Sequence, residues 1–191
     1  MPSMGELRRK PATAEDFKDV PPNMIGQVLN GELWALPRPS IAHAQASSSL
    51  GADLQTRFGR RQPPGGWWIL DEPELHLGPD VLVPDLAGWR RERLPELPPR
   101  PHFTLAPDWV LEVLSPSTAS IDRIVKARID AREGVSFLWF VDPEARTLES
   151  MRLHDGHWLQ TGAWAAGERV RAEPFDAVEL DTSEWFLPPE K

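Results

Sequence analysis

Asp85 and Glu112 are lone carboxylates lodged in apolar, strand-like runs, Val81-Leu-Val-Pro-Asp85-Leu-Ala and Trp109-Val-Leu-Glu112-Val-Leu. Asp122-Arg-Ile-Val-Lys126 follows, and Lys126 is the only lysine between residues 19 and 190 of a chain with 17 arginines and four lysines. Pro-Asp, Glu and Lys in this order form the residue set that metal-dependent phosphodiester hydrolysis requires. A carboxylate buried without a partner costs several kcal/mol, and a second one nearby adds repulsion that pushes one of them to protonate. A divalent cation removes both penalties. Mg²⁺ takes one or two carboxylates and leaves its other positions to water and phosphate, and Asp85 and Glu112 supply that number. A lysine beside them can orient the attacking water or stabilise negative charge developing on phosphorus. The spacing of Lys126 fits a second role equally well, that of an exposed helix lysine paired at i−4 and i+4 with Asp122 and Asp130.

The elements that would position these groups can be read from apolar periodicity and turn chemistry. Residues 1–12 read as a loose arm. Thr13-Ala-Glu-Asp16 has capping-box character and opens a short helix that Val20-Pro-Pro stops. Asn30-Gly31 lies between two apolar pairs and predicts a hairpin, because both turn positions tolerate positive φ. Apolar and small residues from Ser40 to about Arg60 recur at helical spacing, and Pro63-Pro-Gly-Gly predicts a turn. Strands are expected at about 67–77, 81–87 and 108–114, with a Pro-rich loop at 94–107. A helix is expected from about 120 to 132, closed by Gly134 at C′, and a fourth core strand at 135–141. Strands near 147–153 and 157–161 join through His154-Asp155-Gly156, and further β structure runs through Phe175 and Leu180 to Trp185. This order predicts an α/β fold with a mixed sheet, one helix before it and one crossing over. Strand alternation puts Val81, Val83, Asp85 and Ala87 on one side of their strand, and Val110, Glu112 and Leu114 on one side of theirs.

At 191 residues, 40% apolar and 26% charged, the chain is read as one soluble domain, 1–191, long enough to bury a core. The 21 prolines exceed the usual ~5% share and imply abrupt element ends. Cysteine is absent, which excludes disulfides, thiol catalysis and zinc ribbons and fits a reducing cytoplasm. No apolar run reaches the ~18 residues of a membrane span, and the start has no signal-peptide core. The net charge of −8 argues against strong non-specific nucleic-acid binding. It leaves room for a carboxylate-rich site that binds its metal first. Arg57, Arg60 and Arg61, and Arg90, Arg91 and Arg93, are either local phosphate contacts or solvated surface residues.

Other residues carry two readings each. His43 could adjoin the site or bond backbone at a helix start. Glu72 and Glu74 could add a ligand or face solvent. His154 and His157 flank a turn rather than form a metal pair, and Ser115 and Ser117 lack a nucleophile-elbow context. Trp67, Trp68 and Trp89 would stack bases if exposed and are otherwise core. No phosphate-binding glycine loop or dinucleotide fingerprint occurs.

The stretches Leu29-Asn-Gly-Glu-Leu, His43, Val83-Pro-Asp-Leu-Ala-Gly-Trp89, Pro107-Asp-Trp-Val-Leu-Glu-Val-Leu-Ser-Pro-Ser-Thr118, Asp122-Arg123, Lys126, Gly134-Val135 and Leu138-Trp-Phe-Val-Asp-Pro143 resemble the Uma-type family of putative restriction endonucleases. That family lies within the PD-(D/E)xK nuclease superfamily. The match runs from about residue 13 to 153. The resemblance implies a restriction-endonuclease-like αβββαβ core with an N-terminal hairpin and extra C-terminal strands. It further implies Mg²⁺ (or Mn²⁺) held by Asp85 and Glu112, and hydrolysis of DNA. The superfamily pattern puts lysine two residues beyond the glutamate, where this chain has Leu114, and Lys126 on the next helix is the match. Gln27 stands where such sequences often carry Glu. A homodimer is expected by analogy, since two strands are cut by one-site domains and C₂ pairing is commonest. The alternative is a nuclease fold kept without turnover for DNA or protein binding. A third possibility is an unrelated hydrolase using the same carboxylates.

Overall fold

The computed structural model describes residues 11–60 and 65–188. Arg61, the first half of the Pro63–Gly66 turn and residues 1–10 of the expected arm lie outside the described residues. The end of that arm is tied down, because Ala12 N–H donates to the Gly31 carbonyl at 2.9 Å.

Two large sheets and one two-stranded ladder build the described residues. The first comprises β1 (Met24–Leu29), β2 (Glu32–Pro37), β4 (Leu75–Leu77) and β5 (Asp80–Leu82), in the order β2-β1-β5-β4. The second comprises β3 (Trp67–Asp71), β6 (Leu86–Arg90), β7 (Trp109–Val113), β8 (Phe137–Asp142), β9 (Thr147–His154) and β10 (His157–Ala165), in the order β10-β9-β8-β7-β6-β3. A 3₁₀ turn, Ala14–Asp19, precedes β1, and its capping carboxylate Asp16 accepts from Thr13 N–H at 2.7 Å. The predicted hairpin forms, with Asn30 at φ 53° and Gly31 at φ 79°, the geometry that Asn-Gly is chosen for. Helix α1 (Ile41–Phe58) begins at Ser40, whose hydroxyl accepts from His43 N–H at 3.2 Å.

The expected strand at 67–77 is two strands in two different sheets. Glu72, at φ 43°, and Pro73, which has no N–H to give a ladder, end β3 before β4 starts. The expected strand at 81–87 also divides. Pro84 interrupts the ladder, so β5 ends at Leu82 and β6 begins at Leu86. The chain thus leaves one sheet for the other through Val83-Pro84-Asp85. The two breaks are joined, because Glu72 N–H donates to the Asp85 carbonyl at 3.0 Å.

Within the second sheet β3, β6 and β7 run antiparallel, and β7 and β8 run parallel. The crossover between those parallel strands is a π-helical segment, Ile121–Lys126, continued by α2 (Ala127–Arg132). Gly134 follows at φ 79°, a left-handed C-terminal position that costs glycine nothing. Alternation sorts the side chains of the sheet onto two cores. Trp109, Leu111, Val113, Trp139 and Val141 pack against Leu50, Leu54 and Phe58 of α1. Val110, Leu114, Leu138 and Phe140 pack against Ala127 and Ile129 of α2 and against the first sheet. Trp109 meets Trp139 edge-on at 5.4 Å between ring centres, and replacing either ring by Ala would cost ~3–5 kcal/mol. The C-terminal β structure is smaller than expected. It amounts to two-residue strands, β11 (Arg169–Val170) and β12 (Leu180–Asp181), and a 3₁₀ turn at Thr182–Glu184.

Candidate active site

The register of β6 on β7 pairs Leu86 with Leu111 and Ala87 with Val110. Continued by one residue, it sets Asp85 opposite Glu112. Asp85 is outside any strand, and its carboxylate lines the same cavity as Glu112. Glu112 points to the face covered by the crossover helix, as do Val110 and Leu114. Asp85 is fixed at both oxygens: Oδ2 accepts from Val113 N–H at 2.6 Å, and Oδ1 lies 3.3 Å from His43 Nε2.

Lys126 enters the same face from the last turn of the π-helical segment. Its Nζ is 2.5 Å from Glu112 Oε2 and 3.2 Å from Asp122 Oδ1, with the Val83 carbonyl at 3.5 Å. The two sequence readings of Lys126 therefore merge. It does pair with Asp122 at i−4, but it is 2% exposed rather than solvated, as is Glu112. The segment's widened turn, with Ala127 N–H bonded back to the Asp122 carbonyl, is the i→i+5 spacing that often marks functional positions in helices. No periodicity in the sequence announces it.

Three carboxylates, Asp85, Glu112 and Asp122, thus surround one ammonium group. Burial pushes the Glu112 carboxyl well above its ordinary range; Lys126 pulls against this, and Asp122 and Asp85 add to it. Burial alone would lower Lys126, but the charges of Glu112, Asp122 and Asp85 outweigh it and hold the ammonium form. His43 behaves likewise. Desolvation lowers it, while the hydrogen bond and charge of Asp85, with Asp122 and Glu72, raise it on balance. Glu112 Oε1 is buried with no hydrogen-bond partner. An orphaned carboxylate oxygen, beside a second carboxylate and an excess of negative charge, is a donor set that fits a hard divalent cation.

These groups line a cavity of roughly 360 Å³, closed on one side by the β1–β2 hairpin and on another by the Ser115–Thr118 turn. Glu72 and Glu144 add acids to the rim, and Arg38 adds a cation. Sequence reasoning placed His43 and Glu72 as open candidates, and both adjoin the site. Ser115 and Ser117 are turn formers as expected, with Ser115 Oγ 2.9 Å from Thr118 Oγ1, and they also face the cavity. Gln27 sits on the wall, where its Oε1 accepts from Val83 N–H at 3.1 Å. Asp122, Arg38 and Glu144 were missed as site residues. Only Asp122 had a signal, its four-residue spacing from Lys126.

Other expected candidates lie elsewhere. Glu74 joins a separate cluster with His76. His154 is exposed beside Asp155, and no ligand cluster forms at His154 and His157 among the described residues. Trp67 and Trp89 are core, and Trp68 is covered by Arg91, with its Nε1 bonded to the Leu94 carbonyl. None of the three presents a free face for a base. The described members of the arginine groups, Arg57, Arg60, Arg90, Arg91 and Arg93, lie toward the ends of β6 and α1 away from Asp85 and His43. There Arg91 bonds the Gly59 and Trp67 carbonyls, Arg93 pairs with Asp108, and Arg57 pairs with Asp53. These contacts are structural.

The fold is the restriction-endonuclease-like arrangement of a mixed sheet with α1 on one face and the crossover helix on the other. A family model described as Uma2, putative restriction endonuclease, matches residues 14–183, and the chain belongs to that family. A solved structure with the same fold is that of a putative nuclease belonging to DUF820 from Anabaena variabilis ATCC 29413. It is 19% identical, with a TM-score of 0.73, and the match covers 92% of this chain and 97% of that one. No curated protein matches the sequence. Family and fold together support a nuclease. No helix among the described residues is long and apolar enough to cross a membrane.

Proposed function

We propose that this protein is a Mg²⁺-dependent endonuclease that hydrolyses DNA phosphodiester bonds, with Asp85, Glu112 and Lys126 as its catalytic residues. The observation that carries this reading is the unpartnered, buried Oε1 of Glu112 in a cavity that Asp85 also lines, with a charged Lys126 alongside. Asp85 and Glu112 would hold the metal, Mn²⁺ serving in place of Mg²⁺. The ion, when bound, supplies positive charge that polarises the phosphoryl group and favours an ionised water.

The remaining work falls to the protein. Lys126 keeps its proton under the influence of three acids, so it acts as a fixed cation and hydrogen-bond donor to charge developing on the phosphate rather than as a base. Asp122 orients Lys126 from four residues away. His43 and Val113 N–H hold Asp85 in one rotamer, which keeps its oxygens aimed at the shared site. Arg38, on the rim, is placed to meet a neighbouring backbone phosphate. Two copies acting as a pair would deliver a cut in each strand.

The test is cleavage of supercoiled plasmid with Mg²⁺ and with Mn²⁺, comparing wild type with Asp85→Asn, Glu112→Gln and Lys126→Ala, with RNA assayed in parallel. Cleavage by the wild type alone is expected. Equal cleavage by all four proteins would mean a contaminant and defeat the reading. A wild type that neither cleaves nor binds Mg²⁺ by calorimetry would instead be a nuclease fold kept for binding.

A further inference from the structure

A second cluster of ligating groups lies outside the candidate active site. Glu74 and His76 lie either side of Leu75, in and beside β4, and His102 is on the Pro-rich loop that follows β6. Leu75 pairs with Phe103 in a parallel bridge, backed by His76 N–H to the Phe103 carbonyl at 2.8 Å and Phe103 N–H to the Glu74 carbonyl at 2.9 Å. Strand alternation then decides the faces. Leu75, Leu77 and Phe103 turn inward, where Phe103 stacks on Trp89 at 4.3 Å. Glu74, His76 and His102 turn outward together. The two imidazoles stack at 4.1 Å with their planes 19° apart, and His76 Nε2 is 2.6 Å from Glu74 Oε1. One ligand atom from each residue lies within 4.8 Å of the other two, and all three residues are partly exposed.

We propose that Glu74, His76 and His102 bind a divalent transition ion of the zinc class, a site independent of the Mg²⁺ reading above. Two imidazoles and one carboxylate suit Zn²⁺ and its neighbours rather than Mg²⁺, which prefers oxygen alone. Bond lengths of ~2.0–2.2 Å put tetrahedral ligand atoms about 3.4 Å apart. With the ligand atoms already within 4.8 Å of one another, small side-chain rotations that open the 2.6 Å Glu74–His76 contact would bring this trio to that spacing. A backbone already paired across the two segments holds the ligands on one side before the ion arrives. Three protein ligands leave the fourth position to water. The ion would clamp the loop that contains His102 onto β4. It would also brace the Glu72–Pro73 break, since Glu74 is two residues from Glu72 on the cavity wall.

Metal-free protein, dialysed against chelator and held in excess Mg²⁺, is titrated with Zn²⁺ by calorimetry and followed by thermal melting. Wild type and Asp85→Asn should each bind one equivalent and melt a few degrees higher. His76→Gln and His102→Gln should bind at least ~10-fold more weakly and lose the shift. Co²⁺ in place of Zn²⁺ should give the visible absorption of a four-coordinate complex with histidine ligands in wild type but in neither histidine variant. Absence of Zn²⁺ binding by wild type, binding unchanged in both histidine variants, or binding lost in Asp85→Asn would each overturn the assignment. Loss of plasmid cleavage has no bearing on it, so failure here and failure of the nuclease reading are distinguishable.

Discussion

Asp80 is fully buried in the first sheet, and each of its oxygens has a partner: Oδ1 accepts from Asn30 N–H at 2.5 Å, and Oδ2 from Arg132 at 2.5 Å. Glu112, almost as fully buried, shares its one cation with Asp122 and leaves Oε1 with no partner. The first arrangement ties a hairpin turn to α2 and has nothing left over. The second carries surplus negative charge into a cavity. A satisfied buried acid is architecture; an under-satisfied one facing open volume marks a place where something else binds.

Breaking that contrast should affect function at one acid and folding at the other. Asp85→Asn or Glu112→Gln should lower cleavage by at least ~10³-fold while the melting temperature stays within a few degrees, measured by plasmid assay and circular dichroism. Asp130 sharpens the contrast from a third position. Burial pushes its carboxyl from 3.8 up to about 7; Lys126 opposes this, and Asp122 and Glu133 reinforce it. The folded chain therefore holds this proton more tightly than the unfolded chain. The resulting stability is fully present below about pH 4 and is lost as pH rises through about 7. Between pH 5 and pH 8, wild type should lose about 2–3 kcal/mol relative to Asp130→Asn, which denaturant melts at the two pH values would read. Asp80→Asn should cost about 1–2 kcal/mol, the Arg132 share being discounted because that side chain is half exposed. Activity per folded molecule should not change. The smallest effect is expected at His43→Ala, which should slow cleavage about 10-fold through looser positioning of Asp85, with a circular dichroism melt showing the fold intact.

The hairpin at Asn30-Gly31 and the crossover closed by Gly134 were legible because each rests on turn or cap chemistry acting within a few positions, and the helix after Ser40 because its apolar and small residues recur at helical spacing. The strand errors at 72–73 and 84 have one cause. Apolar runs on both sides of each proline looked continuous, and nothing in such a run says that its halves belong to different sheets. The C-terminal region was over-read as strand for a similar reason. Val170, Ala172, Phe175 and Leu180 are apolar because they fill the core over Trp139 and Trp109, and of these only Val170 and Leu180 also pair, in a two-residue ladder. At the site, Asp85 and Glu112 stood out as lone acids in apolar strings. Asp122 and the Ser115–Thr118 turn did so less, since polar residues near helix starts and turns are common everywhere.

Residue identity alone determined that this chain owned two lone acids in apolar strings, because apolar neighbours leave a charge no cheap place to go; it left Lys126 open between an exposed and an interior place. Only the tertiary structure decided that Asp85 faces Glu112 across β6 and β7, that a π-helical turn brings Asp122 and Lys126 onto them, and that Glu74, His76 and His102 share an outer face. Register and strand parity are set by long-range pairing, and no local stretch of sequence encodes which distant segment it will lie beside.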